Sequence, residues 1–287
     1  MGNYKAGNLI RKANVWCHRL PWGHEAGLQK YDIINALAKK NGYHSYLEIC
    51  TTSTGGRFWK IDKKQLRVCH RLLYRCPEQF KDGDEITYRS ANESIENLLP
   101  SGPWYDIVFV DPWHSFECSM RDLRAGLSVL REDGVMVVHD CCPASKELAR
   151  PQPAEGCWCG VTYCAYIELL LSRRDLIYYT VDTDYGCGVI KKKPREGAPK
   201  PEHGVTDELA ERWRNQRSQN ADMFKLFSNH KRELLNLISA EEFLARENVQ
   251  APLSVRSAQF FRGGGRSGDE RAVGKRRPIR AEDSPAG

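Results

Sequence analysis

The stretch from Tyr105 to Pro143 constrains the fold more than any other part of the chain, because it predicts a strand, a helix and a second strand. Ile107 to Val110 and Val135 to Val138 are unbroken apolar runs rich in β-branched residues, as in strands covered on both faces. Apolar residues recur between them at helical spacing, at Met120, Leu123, Leu127 and Leu130. The stretch therefore predicts a βαβ unit with parallel strands.

Acids and histidines follow both predicted strands. Asp111 and His114 come after the first strand, and His139 and Asp140 come after the second. Open parallel sheets bind their ligands outside the carboxyl ends of the strands. We therefore expect the chemistry of this protein at these four residues.

Composition excludes some classes of protein. With 287 residues, of which 41% are hydrophobic and 28% charged, the chain suits one globular domain with appendages or two small domains. It has no apolar run near the roughly 20 residues of a membrane helix, and Met1 to Ala6 lack the apolar core of a signal peptide. We expect a cytoplasmic protein with no membrane partner.

The net charge of +6 would permit a nucleic-acid partner. Half of this excess lies between Arg262 and Asp283, where seven basic and four acidic residues occur among five glycines. Such a segment cannot form a core, so the charge says little about the folded part, and we do not expect nucleic acid as the partner.

The chain has eleven cysteines. Because no secretion signal is visible, reduced and buried thiols are expected rather than a disulfide framework. A zinc site built from Cys157, Cys159 and Cys164 with Cys141 and Cys142 is the weaker alternative, since the spacing differs from that of usual zinc pairs.

Further elements flank the βαβ unit. A helix from Tyr31 ends in Lys39-Lys40-Asn41-Gly42, with cations in its last turn and glycine as a stop signal. The other predicted elements are strands at 46–50, 66–69 and 85–88, helices at 71–80, from Ser90 and at 163–172, and a hairpin of 176–181 with 187–190. These alternations predict a doubly wound α/β domain.

The predicted organisation is an N-terminal extension (1–27), the α/β domain (28–193), a linker (194–205), a helical extension (206–250) and a disordered basic tail (251–287). The helical extension carries apolar residues at helical spacing. Its helices could pack on the domain or mediate self-association, which would make the protein a homo-oligomer.

The central motif resembles that of the class I S-adenosylmethionine-dependent methyltransferases, in the branch with the pattern DxVFIDGxHxYE followed by HDxxP. Here the pattern is found from Asp106 to Glu117 and from His139 to Pro143. The resemblance covers about residues 30 to 193. It implies a Rossmann-like, doubly wound sheet of seven strands whose last strand runs antiparallel in the hairpin.

The resemblance also implies where S-adenosylmethionine would bind. Its methionine half would lie near Glu48 and the turn residues Thr51, Thr54 and Gly55, its adenine near Ser90 and Ala91, and its methyl group near Asp111 and His114. Two departures weaken the cofactor side: Cys50 stands where the family has glycine, and Cys69 stands at or near the acid that binds the ribose. A thiol is a poor hydrogen-bond acceptor; His70 or Asp62 could replace it.

Two mechanisms suit the predicted site. In the first, His114 is a general base tuned by Asp111 or Asp140. In the second, Asp111 and Asp140 bind a divalent cation, with Mg²⁺ as the suitable ion. The second resembles the catechol-type O-methyltransferases, in which an Asp-Asn pair ends strand five, whereas Cys141 replaces the asparagine here.

The sequence thus favours an S-adenosylmethionine-dependent O-methyltransferase that acts on a hydroxyl group of a small molecule or sugar. The alternative is a degenerate methyltransferase-fold protein that acts without catalysis as a binding or assembly module. A nucleic-acid methyltransferase is the weakest option, because the (N/D)PPY tetrapeptide and the Pro-Cys nucleophile pair are not found in the sequence.

Overall fold

The computed structural model describes residues 27–51, 58–74, 104–153, 157–173, 175–192, 205–219 and 222–250, without the side chains of 51, 73 and 74. The helices within these ranges are α1 (Lys30–Asn41), α2 (Phe116–Val129), α3 (Thr162–Ser172), α4 (Asp207–Ser218), α5 (Met223–Leu235) and α6 (Ala240–Glu247). The strands are β1 (Ser45–Thr51), β2 (Val68–Tyr74), β3 (Tyr105–Asp111), β4 (Leu130–Val138), β5 (Leu176–Val181), β6 (Cys187–Lys192) and β7 (Leu237–Ile238).

The strands form one mixed sheet in the order β2-β1-β3-β4-β6-β5-β7. Strands β2, β1, β3 and β4 are parallel, whereas β6 runs antiparallel to both β4 and β5. The predicted doubly wound α/β fold with a closing antiparallel hairpin is confirmed. The seventh described strand is β7, which pairs in parallel with β5 and comes from the helical extension. The strand predicted at 85–88 lies outside the described residues.

The βαβ unit forms as the sequence predicts. Ser115 caps α2 by accepting a hydrogen bond from the N–H of Cys118 at 3.3 Å. The β3 and β4 strands pair in parallel, with Val108 opposite Met136 and Val110 opposite Val138. Residues 105–110 of β3 and 134–138 of β4 are buried on both faces, which explains the unbroken apolar runs within them.

Helix α1 also follows its sequence signals. Its first turn is fixed by the N–H of Gln29, which donates to Asp32 Oδ2 at 3.0 Å. It ends at Gly42, whose φ of 67° is the left-handed conformation that stops a helix. Ile33, Ile34 and Leu37 are buried against the sheet, so Lys30 is held at the N-terminal end of a firmly packed helix.

The position predicted for β2 is wrong. The sequence predicted a strand at 66–69 and a helix from Arg71, but the strand is Val68–Tyr74, in which Cys69 lies opposite Tyr46 and Tyr74 opposite Thr51. Leu66 belongs to the preceding turn, where its N–H donates to the carbonyl of Asp62 at 2.8 Å. Pairing with β1 outweighs the local preference of residues 71–74, because strand formation depends on neighbouring strands.

The C-terminal extension packs on the domain. Helices α4 and α5 bury Trp213, Phe227 and Leu234 on the sheet face that also carries α2 and α3. Helix α6 lies on the opposite face with α1, where Glu247 accepts hydrogen bonds from Tyr179 (2.8 Å) and Lys40 (2.7 Å). Of the two sequence-based alternatives, packing on the domain is therefore what the structure shows. Within the described ranges, no helix is long and apolar enough to cross a membrane.

We predict that the extension and the sheet unfold as one cooperative unit. Trp213→Ala should lower the free energy of unfolding by about 3–5 kcal/mol, because it removes a fully buried indole from the shared core. The matched control is Trp59→Ala, since Trp59 is 74% exposed and its loss should cost about 0.5 kcal/mol or less. Urea unfolding followed by circular dichroism gives both values. Equal effects of the two substitutions would show that the extension is not part of the core.

Candidate active site

The predicted acids and histidines come together at the carboxyl ends of β3 and β4. Asp111 is the last residue of β3, and His139 and Asp140 follow directly after β4. His114 lies in the turn after β3, with its Nε2 3.0 Å from Asp140 Oδ2 and 3.9 Å from Asp111 Oδ1. The parallel register that places Val110 beside Val138 brings these residues together.

His139 lies close to three carboxylates, which is more than a histidine that only packs near the core requires. Its Nδ1 lies 3.1 Å from Asp140 Oδ2 and 3.3 Å from Asp111 Oδ1, and its Nε2 lies 3.4 Å from Asp184 Oδ1. Asp184 belongs to the turn between β5 and β6, a position that the sequence marked only as a hairpin turn. His139 thus connects three carboxylates.

Lys30 is the functional candidate that sequence reasoning missed. Its Nζ lies 2.8 Å from Asp111 Oδ2 and 3.4 Å from His139 Nδ1, while its backbone N–H donates to Asp184 Oδ2 at 3.1 Å. No sequence signal marks it, because it lies 81 residues before Asp111 in a helix with ordinary capping. Only the packing of α1 places it at the site.

Nearby positive charges keep the carboxyl groups of Asp111, Asp140 and Asp184 ionised. Burial by itself would raise the pKa of Asp111, but Lys30 and His139 hold this pKa well below its usual range. His139 and His114 likewise lower the pKa of Asp140, and His139 and Lys30 lower that of Asp184. The site therefore holds three negative charges at neutral pH.

The same contacts keep the basic groups protonated. Burial by itself lowers the pKa of His114, but Asp140 and Asp111 raise it to about 9. The pKa of His139 is also raised well above its ordinary value, mainly by Asp140, against the opposing effect of burial. Although burial opposes it, Asp111 and Asp184 raise the pKa of Lys30 as well.

Asp111 and Asp140, the residues predicted to bind a metal ion, lie close together. The ammonium group of Lys30, however, already lies beside Asp111. Asp111, His139 and Asp140 each offer one ligand atom, and these atoms lie within 4.8 Å of one another. Cys141 is not part of this group, because its buried Sγ lies against the carbonyl of Val138 at 3.5 Å. The ammonium of Lys30 touches Asp111 and His139, so the donors do not suit a metal ion unless Lys30 moves away.

The cofactor side of the predicted site is described only in part. Glu48 is fully buried, where it pairs with Arg71 (3.1 Å) and accepts hydrogen bonds from Tyr46 (3.0 Å) and the Cys50 thiol (3.2 Å). The backbone of Thr51 ends β1. Thr54, Gly55, Ser90 and Ala91 lie outside the described residues, and their roles stay predictions.

The prediction that places Cys69 at the ribose-binding position assumed that this residue ends the second strand. That strand ends at Tyr74, whereas Cys69 lies opposite Tyr46 near its start. The two ends are about 17 Å apart at 3.3 Å per residue. His70 and Asp62, considered as replacements, precede this end as well. The prediction that Cys69 weakens cofactor binding therefore rests on a strand end that the structure places elsewhere.

Most described cysteines are free and buried, as predicted. Near the site these are Cys141, Cys142, Cys159 and Cys187, and burial raises the pKa of each thiol. Cys157 differs from the prediction because it is disulfide-bonded. The buried thiols are protonated at neutral pH and are therefore poor nucleophiles.

Residues 157–161 pack closely over His114. The N–H of Val161 donates to the carbonyl of His114 at 2.9 Å, and the ring of Trp158 lies 5.0 Å from the His114 ring between centroids. Trp158 also meets Trp113 at 5.2 Å. This segment fixes the backbone that carries His114 and gives the site an aromatic wall.

Comparisons with known proteins give a family match and several similar solved structures. Residues 33–141 match a protein family described as a methyltransferase domain. The chain is similar to the SAH-bound methyltransferase PaMTH1 of Podospora anserina, at 14% identity over 65% of this chain and 88% of that one, with a TM-score of 0.40. It is also similar to 1,6-didemethyltoxoflavin-N1-methyltransferase of Burkholderia thailandensis, at 15% identity over 68% and 92%, with a TM-score of 0.38. No curated protein matches.

We predict that Gly160 is required for the packing over His114. A Cβ atom at this position would lie 2.3 Å from the His114 carbonyl oxygen, and its φ of 56° disfavours other residues. Gly160→Ala should cost about 2–4 kcal/mol, from left-handed strain plus steric overlap. Gly42→Ala is the matched control, since Gly42 has a φ of 67° but open space around it, and should cost about 1 kcal/mol. Thermal or urea unfolding compares them, and equal losses would contradict the contact.

We also predict that His114 links stability to pH. Because folding raises its pKa from an ordinary 6.5 to about 9, its contribution is complete below pH 6.5 and is lost as the pH rises through 9. Between pH 6.5 and 9.5 the wild type should lose on the order of 2 kcal/mol more stability than His114→Gln. Urea unfolding at both pH values measures this. His44→Gln, at a histidine outside the cluster, should behave as the wild type does; a His114→Gln curve parallel to the wild type would refute the linkage.

Proposed function

We propose that this protein transfers a methyl group from S-adenosylmethionine to a hydroxyl group of a small molecule or sugar, and the match of residues 33–141 to a methyltransferase-domain family supports this proposal. His114 would be the general base. The proposal places the reaction at the carboxyl ends of β3 and β4, at the cluster of Asp111, His114, His139 and Asp140.

One observation carries this proposal: His114 forms a carboxylate–histidine pair at the strand ends. Its Nε2 is 3.0 Å from Asp140 Oδ2, while its Nδ1 is buried and has no hydrogen-bond partner among the described residues. In such a pair the carboxylate orients the ring and holds the proton on the facing nitrogen. In the neutral form of the ring, the other nitrogen carries no proton and can take one from a substrate hydroxyl that reaches it.

When bound, S-adenosylmethionine supplies an electrophilic methyl group on a positively charged sulfur. The ionised carboxylates of Asp111, Asp140 and Asp184 converge at the strand ends, where Lys30, His114 and His139 balance their charge, so the cluster presents no net positive charge to this sulfur. Asp111 would face the cofactor, and Glu48 with the turn at Thr51, Thr54 and Gly55 would lie near its methionine half. Ser90 and Ala91 would lie near the adenine.

The shape of the site supports a small acceptor. The side chains of Asp111, His114, His139 and Asp140 are between 6% and 18% exposed, so the acceptor must reach into a largely enclosed site. Trp158 and Trp113 border His114 on one side. A hydroxyl on a compact molecule fits this environment better than a group on a large folded partner.

The mechanism with Mg²⁺ bound to Asp111 and Asp140 is the less favoured of the two. Lys30 already pairs with Asp111 at 2.8 Å, and a second cation there would be repelled. We therefore assign proton removal to His114 alone. The domain organisation, the cytoplasmic location and any homo-oligomer stay predictions.

The proposal predicts that turnover depends on pH, because His114 must be neutral to act as the base. Since the pKa of His114 is about 9 in the free protein, only a small fraction is neutral at pH 7, and kcat/KM should rise with pH up to about 9. His114→Gln should lower kcat by about 10²- to 10⁴-fold and remove this rise. Formation of S-adenosylhomocysteine from S-adenosylmethionine with a panel of catechols, phenols and hexoses measures both effects.

Calorimetric titration with S-adenosylmethionine separates the enzyme from a non-catalytic module. The wild type and His114→Gln should bind the cofactor equally well, because His114 acts on the acceptor. Absence of binding at millimolar cofactor would favour the degenerate binding or assembly protein. Loss of binding together with turnover in His114→Gln would instead assign His114 a structural role.

A further inference from the structure

Lys30 occupies the position at which a metal ion would be expected. Its ammonium nitrogen lies 2.8 Å from Asp111 Oδ2 and 3.4 Å from His139 Nδ1, two of the three ligand atoms that converge at the site. The side chain is only 13% exposed, so this is not a loose surface pair. Its Nζ also lies 5.6 Å from the centre of the Phe109 ring, which adds a cation–π contact.

A second set of contacts, to the turn between β5 and β6, also holds Lys30 in place. Its backbone N–H donates to Asp184 Oδ2 at 3.1 Å, and Thr183 of the same turn donates to the carbonyl of Leu28. Lys30 is the first residue of α1, where the helix dipole disfavours a cation. The carboxylates of Asp111 and Asp184, and not the helix, therefore stabilise a lysine at this position.

We propose that Lys30 is the resident cation of the site: its ammonium takes the role that a divalent ion has in metal-dependent methyltransferases, and the protein needs no metal. An ammonium that touches both Asp111 and His139 leaves no room for a metal ion on the same two ligands. The two cations would also repel each other strongly over such a distance. Lys30 acts as a positioning residue, because it fixes Asp111 and His139 through direct contact.

The inference concerns the same site as the proposed function, but a metal-binding measurement tests it without any turnover. The probe is Mn²⁺, followed through the electron paramagnetic resonance signal of the free ion. Wild-type protein should bind Mn²⁺ at this site no more tightly than roughly millimolar, whereas Lys30→Met should bind about tenfold or more tightly, because removing the ammonium leaves the carboxylates uncompensated.

Three variants locate the effect. Lys30→Arg keeps the charge and should bind Mn²⁺ as weakly as the wild type does. Lys40→Met is the matched control, because Lys40 belongs to the same helix and forms an ion pair with Glu247 at 2.7 Å, away from the site; it should also leave binding weak. Adding Asp111→Asn to Lys30→Met should abolish the gained binding, which assigns the ion to this site.

The wild type alone can overturn the inference. Mn²⁺ binding at micromolar concentrations that is lost in Asp111→Asn would show that a metal displaces Lys30. If Lys30→Met does not fold, as judged by circular dichroism, Lys30→Gln is used for the comparison. Equal affinity of folded Lys30→Met or Lys30→Gln and wild type would also refute it.

A kinetic measurement adds a second readout that rests on the proposed function. Turnover of the wild type should be unchanged by EDTA and unchanged by added Mg²⁺ or Mn²⁺, whereas Lys30→Met should be slow and partly restored by Mn²⁺. A wild type that EDTA inactivates and Mg²⁺ restores would contradict the inference. If no turnover is found with any acceptor, the proposed function fails, and the Mn²⁺ titration still decides the role of Lys30.

Discussion

The ion pair between Lys30 and Asp111 is the contact on which the site depends. It joins the start of α1 to the end of β3 over a distance of 2.8 Å, and the backbone of Lys30 extends the connection to Asp184 in the β5–β6 turn. Asp111 would otherwise be a largely buried carboxylate beside two others, which is unfavourable without a cation. His139 and His114 complete the balance, so three acids face three bases in one small volume.

Helices cover both faces of the sheet, and this packing holds the residues of the charge cluster in fixed positions. Helices α2 to α5 pack on one face and α1 and α6 on the other. The extension contributes Trp213 and Phe227 to the first layer and Phe243 to the second. It also contributes strand β7 to the sheet. The rigid frame fixes the ends of β3 and β4, which is what an oriented histidine–carboxylate pair requires.

Much of the fold could be predicted from local patterns, and the failures have a common cause. The βαβ unit, α1, α3 and the β5–β6 hairpin carry strong periodicity and clear stop signals, and they form where predicted. Strand β2 does not, because residues 71–74 become a strand only through pairing with β1. That shift places Cys69 near the start of the strand instead of at its end. Non-local pairing is not encoded in the local spacing of apolar residues.

The sequence by itself determined the fold class, the motif that resembles those of methyltransferases and four of the residues at the strand ends, Asp111, His114, His139 and Asp140. These four residues could be identified from the sequence because parallel strands of one sheet end at one edge, where residues that follow neighbouring strands lie close together. Only the tertiary structure decided that Lys30 and Asp184 join them and that an ammonium lies where a metal ion was considered. Their contacts span 81 and 154 residues of chain, and such distances close only when the helices pack on the sheet.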